Sequence, residues 1–544
     1  MTVTGCEPGT GGEGRPLHPG RESGRGGALA AGVREPWRLW ILLLLLLTAG
    51  CTTLPDNGDR VASRAVTDTG DTRLGRLVAA RAAEHPGESG FILLDDGLDA
   101  FVARAALARI ADRSIDLQYY LYHQDLVGAL LMYNLLQAAD RGVRVRILVD
   151  DMDLSERDQG LLTIDAHPNI EVRIFNPFRR DVPRLLQFAT RFGKVTRRMH
   201  NKSFTVDNQA TVVGGRNIGD EYFDANPDLA FGDLDVLAVG RVVPGVSASF
   251  DDFWNHPLSY PVASFLADSR PLMGLDRLRR EAALFWQQQK DSPYVTALRN
   301  STLARGFESG DFTFLWGDAK AVYDSPDKIT HGTDRAEYHL TPQLEPYVAS
   351  MQRELIVLSA YFVPGREGVR FFKDLRQRGI RVRILTNSLA STDVPIVHAG
   401  YAGYRRELLE AGVELYEVSS VNPKVEGGGG IGGSSRASLH AKSFVIDRKT
   451  VFIGSLNLDP RSDKQNTEIG LVIDSPEMGA IMGREFDQGV EKVAYRLRLN
   501  DEGAIEWVER RGGDEIVYHT EPRTSWFTRL WVGVASLLPI ESQL

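Results

Sequence analysis

A nineteen-residue pattern that occurs twice constrains the fold of this chain more than any other feature of its sequence. Residues 199–217 read MHNKSFTVDNQATVVGGRN, and residues 439–457 read LHAKSFVIDRKTVFIGSLN, with His, Lys, Asp, Gly and Asn at identical offsets. A second landmark recurs in the same order, since RGVRVRILVDD at 141–151 returns as RGIRVRILTNS at 378–388. The spacing of about 240 residues is too long for a solenoid repeat. The sequence therefore predicts two copies of one whole domain.

Each copy begins with the pattern of an α/β domain. Apolar strands alternate with amphipathic helices, first strand–helix–strand from residue 90 to 122 and then a helix and the strand VRVRILVD. This order favours a mixed sheet with flanking helices. We expect lobe 1 to span 86–260, a helical connector 261–310 and lobe 2 311–500.

The repeated segment has the pattern of a β-hairpin. His and Lys stand two residues apart in a run of β-formers and should share one face. A tight turn at the Asp then leads into a second strand that returns the Asn toward the histidine, and a small pair follows that strand and allows a ligand close to the backbone. Each hairpin can therefore present one His, one Lys and one Asn together: His200, Lys202 and Asn217, or His440, Lys442 and Asn457.

Two such sets suit phosphoryl chemistry. One histidine can attack while neutral and the other can donate a proton to the leaving group. Two lysines and two asparagines can hold the non-bridging oxygens of a phosphate. A metal site fits poorly, because a protonated lysine is not a ligand and the spacing is not that of paired imidazoles. The glycine-rich run at 426–435 lacks a following GK[ST] and predicts a flexible loop rather than a nucleotide site.

The pattern H-x-K-x4-D-x6-G-[GS]-x-N resembles the signature of the phospholipase D superfamily, and it occurs here in both copies. The resemblance implies two α/β lobes that face each other, with one active site at their pseudo-twofold seam. It also implies catalysis without metal or cofactor, through a covalent phosphohistidine. The catalytic residues would be the two His-Lys-Asp sets: His200, Lys202, Asp207, His440, Lys442 and Asp447. Because Asp favours turns, the alternative is that Asp207 and Asp447 hold the hairpins rather than contact the substrate.

The same resemblance predicts an acidic residue that orients a histidine, at the start of a strand after each motif. Asp235 and Glu468 occupy that place, and Asp233 is a rival to Asp235 because the spacing from the motif Asn differs between the copies. The resemblance also makes His200 the nucleophile and His440 the acid and then the base.

The start of the chain favours the cell envelope. Residues 1–38 have the composition of a disordered leader, and 39–51 form an apolar run too short to span a bilayer, which needs about twenty residues. Its end, LTAGC, resembles a bacterial lipoprotein signal in which Cys51 is acylated, although Thr48 stands where an aliphatic residue is usual. A short uncleaved anchor is the alternative. Residues 52–85 then form a linker, and the protein would face the periplasm or exterior.

Two further segments carry apolar and basic residues that suit a membrane surface. The stretch at 178–200 could contact anionic headgroups or be a solvated helix face, and the C-terminal tail at 501–544 could hold an interfacial helix or pack on the core. The net charge of −9 argues against a nucleic-acid partner.

Several stretches, among them HNKSFTVDNQATVVGGRNIGDEYF and SRASLHAKSFVID, resemble the cardiolipin synthase C branch of bacterial phospholipase D-like proteins. This resemblance implies transfer of a phosphatidyl group from phosphatidylethanolamine or phosphatidylglycerol to phosphatidylglycerol. Water as the acceptor would make the enzyme a hydrolase. A secreted nuclease and a non-catalytic scaffold remain alternatives. Because the duplication supplies both half-sites, a single chain should be catalytically complete.

Overall fold

The computed structural model describes residues 54–536, apart from residues 59, 155–156, 192, 227–228, 310–312, 421–435 and 512. The predicted leader, the Cys51 signal, the glycine-rich loop and the last eight residues lie outside this range. From Leu54 onward the chain forms one compact unit. Across the described residues, no helix has both the length and the apolar character needed to cross a bilayer.

The strands of the two halves follow one another in the same order. Nine strands lie in the first half: β1 Ser89–Leu94, β2 Ser114–Tyr119, β3 Arg144–Asp150, β4 Ile170–Phe175, β5 Ser203–Val206, β6 Ala210–Gly214, β7 Leu229–Gly232, β8 Asp235–Gly240 and β9 Ser259–Pro261. Eleven described strands lie in the second half: β10 Leu315–Tyr323, β11 Glu354–Ser359, β12 Arg381–Asn387, β13 Glu414–Val418, β14 Arg436–Leu439, β15 Lys442–Ile446, β16 Thr450–Gly454, β17 Ile469–Asp474, β18 Ala494–Leu499, β19 Ile505–Arg511 and β20 Asp514–Tyr518.

Helices flank both halves, and short 3₁₀ turns connect some of the elements. Ten described helices precede β10: α1 Arg73–Ala82, α2 Gly97–Ile110, α3 Leu126–Asp140, α4 Asp158–Asp165, α5 Arg184–Thr190, α6 Val243–Asn255, α7 Val262–Phe265, α8 Leu275–Gln289, α9 Pro293–Arg299 and α10 Thr302–Ser309. Seven more follow it: α11 Thr341–Ala349, α12 Gly365–Gln377, α13 Pro395–Ala402, α14 Arg405–Glu410, α15 Pro460–Lys464, α16 Pro476–Val493 and α17 Trp526–Ala535.

The predicted duplication is confirmed strand by strand. Lobe 1 has the order β9-β4-β3-β2-β5-β6-β8-β1, in which only β4-β3-β2 are mutually parallel. Lobe 2 repeats it as β18-β13-β12-β11-β15-β16-β17-β10, again with one parallel trio. An antiparallel pairing of β1 with β10 joins the two lobes edge to edge, and β19 and β20 extend the far side of lobe 2. The α/β fold class and the two-lobe architecture are therefore as predicted.

An apolar core is shared by the two lobes. Strands β6 and β8 of lobe 1 pack against β16 and β17 of lobe 2, and the buried side chains of both belong to one cluster: Val213, Val236, Ala238, Val451, Ile453, Leu471 and Ile473. Burial of branched apolar side chains is the main stabilising contribution to such an interface. The seam is consequently a packed core rather than a loose contact between two domains.

The basic segment before the first motif is held by internal partners. Arg180 forms ion pairs with Asp151 and Asp158 at 2.6 and 2.7 Å, and Arg198 is buried against Asp150. Arg197 donates to backbone carbonyl groups of the second half. Because these charges are already paired within the protein, the segment does not need a lipid headgroup to account for its composition.

Candidate active site

Each predicted hairpin is present, and the side chain of its lysine contacts the histidine two residues earlier. The hairpins are β5–β6 and β15–β16, and each histidine lies two or three residues before the first strand. Lys202 Nζ donates to the carbonyl of His200 at 2.6 Å. Lys442 Nζ donates to the carbonyl of His440 and lies 2.9 Å from its Nδ1. The two ammonium groups are thus fixed beside the imidazoles, and all four side chains are buried.

Asp207 and Asp447 lie at the turns of the two hairpins, where their carboxylates bind backbone N–H groups. Asp207 has φ 50° and accepts three backbone N–H groups, from residues 112, 113 and 114, at 2.7–3.0 Å. Asp447 has φ 54° and accepts the equivalent groups of residues 352–354. Both carboxylates therefore anchor the hairpin turn to the strand beside it.

His200 is oriented by a carboxylate from the other lobe. Its Nδ1 lies 2.9 Å from Oε2 of Glu468, which precedes β17. The backbone supports this contact, because the N–H of His200 donates to the carbonyl of Thr467 at 2.9 Å. Glu468 also accepts a hydrogen bond from the hydroxyl of Ser455. The prediction that Glu468 contacts a histidine agrees with this geometry.

His440 has the mirror arrangement, but its partner is Asp233 and not Asp235. His440 Nδ1 lies 2.6 Å from Asp233 Oδ2. Strand β14, which leads into His440, pairs in parallel with β7, which leads into Asp233. Asp235 instead forms a buried ion pair with Arg104 at 2.8 Å. The choice of Asp235 over its rival was therefore wrong.

A glycine leaves room for the carboxylate of Asp233 beside its own backbone. A Cβ on Gly215 would stand 2.2 Å from Asp233 Oδ1, so only glycine permits this approach. The equivalent residue of lobe 2 is Ser455, whose hydroxyl binds the longer Glu468. The Gly-Asp and Ser-Glu pairs are therefore matched in size.

Burial and the surrounding cations depress the basicity of the site. Burial lowers the pKa of His200 well below its usual value, and Lys202, Lys442 and His440 lower it further. Burial and Lys442 also lower the pKa of His440, although Asp233 opposes this effect. For Lys202 and Lys442, burial is again the largest cause of a lowered pKa. A site with this surplus of buried donors is suited to an anionic ligand.

The two orienting carboxylates differ in their ionisation. Burial raises the pKa of Asp233, but His440, Lys442 and Arg216 outweigh it and hold the pKa well below its usual value. Burial raises the pKa of Glu468 to about 7 in spite of Lys202 and Ser455. His440 is therefore paired with a firmly ionised carboxylate, whereas His200 is paired with one that is readily protonated.

The two asparagines differ in their contacts. Asn217 accepts the N–H of Leu121 at 3.2 Å and donates to the hydroxyl of Tyr222 at 3.0 Å. Asn457 is buried, and among the described residues its Oδ1 has no hydrogen-bond partner. Their predicted role as phosphate ligands remains a proposal.

Aromatic rings enclose the imidazoles. Tyr120 packs edge-on against His200 with ring centroids 5.1 Å apart, and Tyr222 and Phe231 pack against His440 at 5.0 and 5.2 Å. These rings were not predicted, because a tyrosine directly after an apolar strand has no distinguishing local pattern. They contribute to the burial of both imidazoles.

One group of potential metal ligands lies outside this set. The ligand atoms of His123, Asp125 and Glu221 are within 4.8 Å of one another. His123 lies 3.3 Å from both Glu221 and Asp153, so its imidazole already has carboxylate partners. Neither His200 nor His440 belongs to this group.

Comparison with known proteins agrees with this site. The family model described as "Cardiolipin synthase, PLD-like domain" matches residues 106–253 and again 347–490, once in each lobe. The chain therefore belongs to the phospholipase D superfamily, in its cardiolipin synthase-like family, and is an enzyme of the phosphatidyltransferase or phospholipase D type.

Two cardiolipin synthases and one solved structure are among the proteins that the chain resembles. Cardiolipin synthase C of Escherichia coli K12 is 42% identical over 474 residues, which are 86% of this chain and 99% of that protein. Cardiolipin synthase B of Salmonella typhi is 27% identical over 75% of this chain and 80% of its own length. A phosphatidylserine synthase structure from Haemophilus influenzae Rd KW20 covers 79% of this chain and 92% of its own, with a TM-score of 0.49 and 14% identity, a likeness too distant to support an inference.

Proposed function

We propose that this protein makes cardiolipin by transferring a phosphatidyl group from one phospholipid to phosphatidylglycerol, with His200 as the nucleophile. The observation that carries the proposal is the crossed pairing of the two histidines, His200 with Glu468 and His440 with Asp233. This pairing makes one site out of two half-sites, with two imidazoles held by Nδ1 so that both Nε2 atoms are left for chemistry.

The unequal carboxylates support different roles for the two histidines. A nucleophile must be neutral, and the pKa of His200 is held well below its usual value by burial and neighbouring cations. A proton donor needs a stabilised imidazolium, and the ionised Asp233 opposes the lowering of the pKa of His440 that burial and Lys442 cause. His200 would attack the phosphorus of the donor, and His440 would give its proton to the departing headgroup oxygen.

The second half of the reaction reverses these roles. His440, now neutral, would take the proton of the terminal hydroxyl of phosphatidylglycerol, whose oxygen attacks phosphorus and displaces His200. Lys202 and Lys442 would stabilise the non-bridging oxygens during both displacements. No metal or cofactor takes part in these steps.

The burial of the site favours a lipid alcohol over water as the acceptor. The side chains of His200 and His440 are only 10% and 7% exposed. Water that does enter would attack the same intermediate and release phosphatidic acid, so a phospholipase D-type hydrolase is the alternative outcome of one mechanism. Phosphatidylethanolamine and phosphatidylglycerol are the proposed donors.

The proposed setting is the bacterial envelope. Lipidation of Cys51 would hold the catalytic unit at a membrane, facing the periplasm or exterior, where its phospholipid substrates are found. Both half-sites come from one chain, so we propose that the monomer is catalytically complete.

Product analysis tests this function. The chain from residue 52, in wild-type, His200→Ala and His440→Ala forms, is given mixed phosphatidylethanolamine and phosphatidylglycerol vesicles, and lipids are identified by mass spectrometry. His167→Ala is the control, because His167 is also buried but bonds Asp140. We expect cardiolipin from the wild type and the control and none from the two active-site variants. Phosphatidic acid alone would identify a hydrolase, and cleavage of DNA or RNA without lipid products would contradict the proposal.

A further inference from the structure

Helix α17 presents an apolar face to solvent. Its buried side chains, Val532 and Ala535, pack in one cluster with Leu389 and Ala399. The rest of its large apolar residues are exposed: Trp526 at 69%, Phe527 at 63%, Leu530 at 55%, Trp531 at 47% and Val534 at 56%. The helix is therefore anchored by a narrow edge and leaves a wide aromatic surface uncovered by any described residue.

This surface is unusual within the described part of the molecule. Eleven large hydrophobic residues are exposed there, and five of them lie in the nine positions from 526 to 534. The other six are dispersed along the chain: Val61, Leu77, Leu185, Leu272, Leu284 and Ile516. Single exposed apolar residues are ordinary, but a contiguous patch marks an interaction surface.

Helix α17 is fixed to an edge of the active site. Ahead of the helix, Glu521 forms an ion pair with Arg405 at 2.6 Å and lies 3.4 Å from His398. The loop between Leu389 and α13 carries Asp393, whose carboxylate accepts the hydroxyl of Tyr361 at 2.8 Å. Burial and Asp393 are the largest causes of the raised pKa of Tyr361, and Tyr222 and Tyr120, which pack against the two histidines, are close enough to contribute to it. The loop between Leu389 and α13 thus connects the helix to the neighbourhood of the catalytic seam.

The composition of the surface indicates what covers it. Tryptophan and phenylalanine are enriched where a protein meets the headgroup region of a bilayer. Between residues 522 and 536 the charged residues are Arg523 and Arg529, and no acidic residue occurs. The positive charge of Arg523 and Arg529 beside exposed aromatic rings is complementary to the headgroups of an anionic lipid surface.

We propose that α17 docks on the surface of an anionic phospholipid bilayer and holds the catalytic seam at the level of the lipid headgroups. The choice of a bilayer as the occupant rests on the proposed function, because a phosphatidyltransferase must take both substrates from a membrane. Docking needs no turnover, so it is measured independently of catalysis.

Vesicle binding by the chain from residue 52 tests the docking. That chain lacks Cys51, so lipidation does not contribute. Sedimentation with phosphatidylglycerol-containing vesicles is compared for the wild type, Trp526→Ser/Phe527→Ser/Trp531→Ser and a matched control, Leu272→Ser/Leu284→Ser, which removes apolar residues exposed to a similar degree elsewhere. Loss of three interfacial rings should weaken binding about tenfold or more, whereas the control should bind like the wild type. Arg523→Gln/Arg529→Gln should weaken binding to anionic vesicles and leave the weak binding to neutral phosphatidylcholine vesicles unchanged.

Turnover distinguishes this proposal from the proposed function. The triple variant should lose activity on vesicles but keep wild-type activity on dispersed short-chain phospholipids, because its catalytic residues are intact. If the wild type bound vesicles but transferred no phosphatidyl group, the proposed function would fail while docking stood.

Three results would overturn the docking. In the first, the triple variant binds vesicles as the wild type does. In the second, deletion of residues 537–544 creates vesicle binding that the intact chain lacks, which would mean that those residues cover the helix. In the third, the wild type is a dimer without lipid and the triple variant is a monomer, which would assign the surface to a second copy of the chain.

Discussion

Asp233 and Glu468 hold the two histidines through the same atom, but they differ in length and in charge. Asp233 stays ionised beside His440, whereas burial raises the pKa of Glu468 to about 7. The difference arises from neighbours, since His440, Lys442 and Arg216 surround Asp233. Two nearly symmetric half-sites can therefore perform unequal tasks, because one carboxylate stabilises a cation more strongly than the other.

Replacement of Asp233 by Asn should remove this stabilisation. Asp233 raises the pKa of His440 against burial and Lys442, so its loss lowers that pKa further and reduces the protonated fraction at any given pH. We expect the limb of the kcat/KM profile that falls with increasing pH to move to lower pH, and the rate at neutral pH to fall on the order of 10²–10⁴-fold, the usual contribution of a general acid. The check is a pH–rate profile measured on dispersed lipid.

Asp235→Asn is the matched control for that experiment. Asp235 pairs with buried Arg104 instead of a histidine, and breaking a buried pair costs about 3–5 kcal/mol of folding free energy. The variant should be less stable, but its folded fraction should keep the wild-type pH profile. A shifted profile in this variant and not in Asp233→Asn would contradict the assignment.

At the scale of single residues, the sequence identified the buried histidines and lysines because their spacing repeats. The identity of His440's partner could not be obtained from spacing. Asn217 and Asp233 are sixteen residues apart, whereas Asn457 and Glu468 are eleven apart. The intervening segments fold differently, with β7 in lobe 1 and α15 in lobe 2.

The hairpin is the element that delivers each histidine–lysine pair, and its turn is fixed by one carboxylate. Asp207 is fully buried and satisfies three backbone N–H groups ahead of β2. Its left-handed backbone at φ 50° is also one that Asp and Asn tolerate better than most residues. We therefore propose that the motif aspartate acts by connecting the hairpin to the neighbouring strand.

Asp207→Ala should consequently reduce stability more than catalysis. Each buried N–H group that is left without an acceptor costs about 1–3 kcal/mol of folding free energy where the structure does not compensate for it. The urea concentration at the unfolding midpoint should therefore fall clearly. Activity per folded molecule should remain within a few-fold of the wild type. Asp207→Asn should lose less stability, because asparagine keeps one acceptor oxygen and also tolerates a left-handed backbone conformation. If the Asp207→Ala variant lost its activity while remaining as stable as the wild type, this role would be contradicted.

Among the elements, the sheet strands were predictable because their apolar runs recur. The pairing of β7 with β14 was not, since these four-residue strands come from different lobes and have no local pattern that links them. Their register matters because Gly232 lies opposite Leu439, which places Asp233 beside His440.

The whole molecule carries one site because each lobe completes the other. His200 and Asp233 come from lobe 1, and Glu468 and His440 come from lobe 2. The duplication and the seam were predictable from the repeated motif. The edge-to-edge joining of β1 with β10 was not, because nothing in either strand specifies its partner.

Mixing two inactive chains tests whether the site is contained in one molecule. His200→Ala and His440→Ala each leave one intact half-site, so a site shared between chains would regain activity in the mixture. We expect none, because the shared apolar core pairs the lobes within a chain. Cardiolipin formation should be assayed after co-expression as well as after mixing. Recovery to a substantial fraction of wild-type activity would contradict the monomeric site.

The most direct test of the account is the location of the covalent intermediate. The His440→Asn variant is given a phosphatidyl substrate with a nitrophenol leaving group, which departs without a proton. The enzyme should release one equivalent of nitrophenol and then stall, because no base activates the acceptor, and mass spectrometry should find the phosphatidyl group on His200. A phosphatidyl group on His440 in the His200→Asn variant, with none on His200 in the His440→Asn variant, would reverse the roles. No adduct on either histidine would contradict the phosphohistidine mechanism.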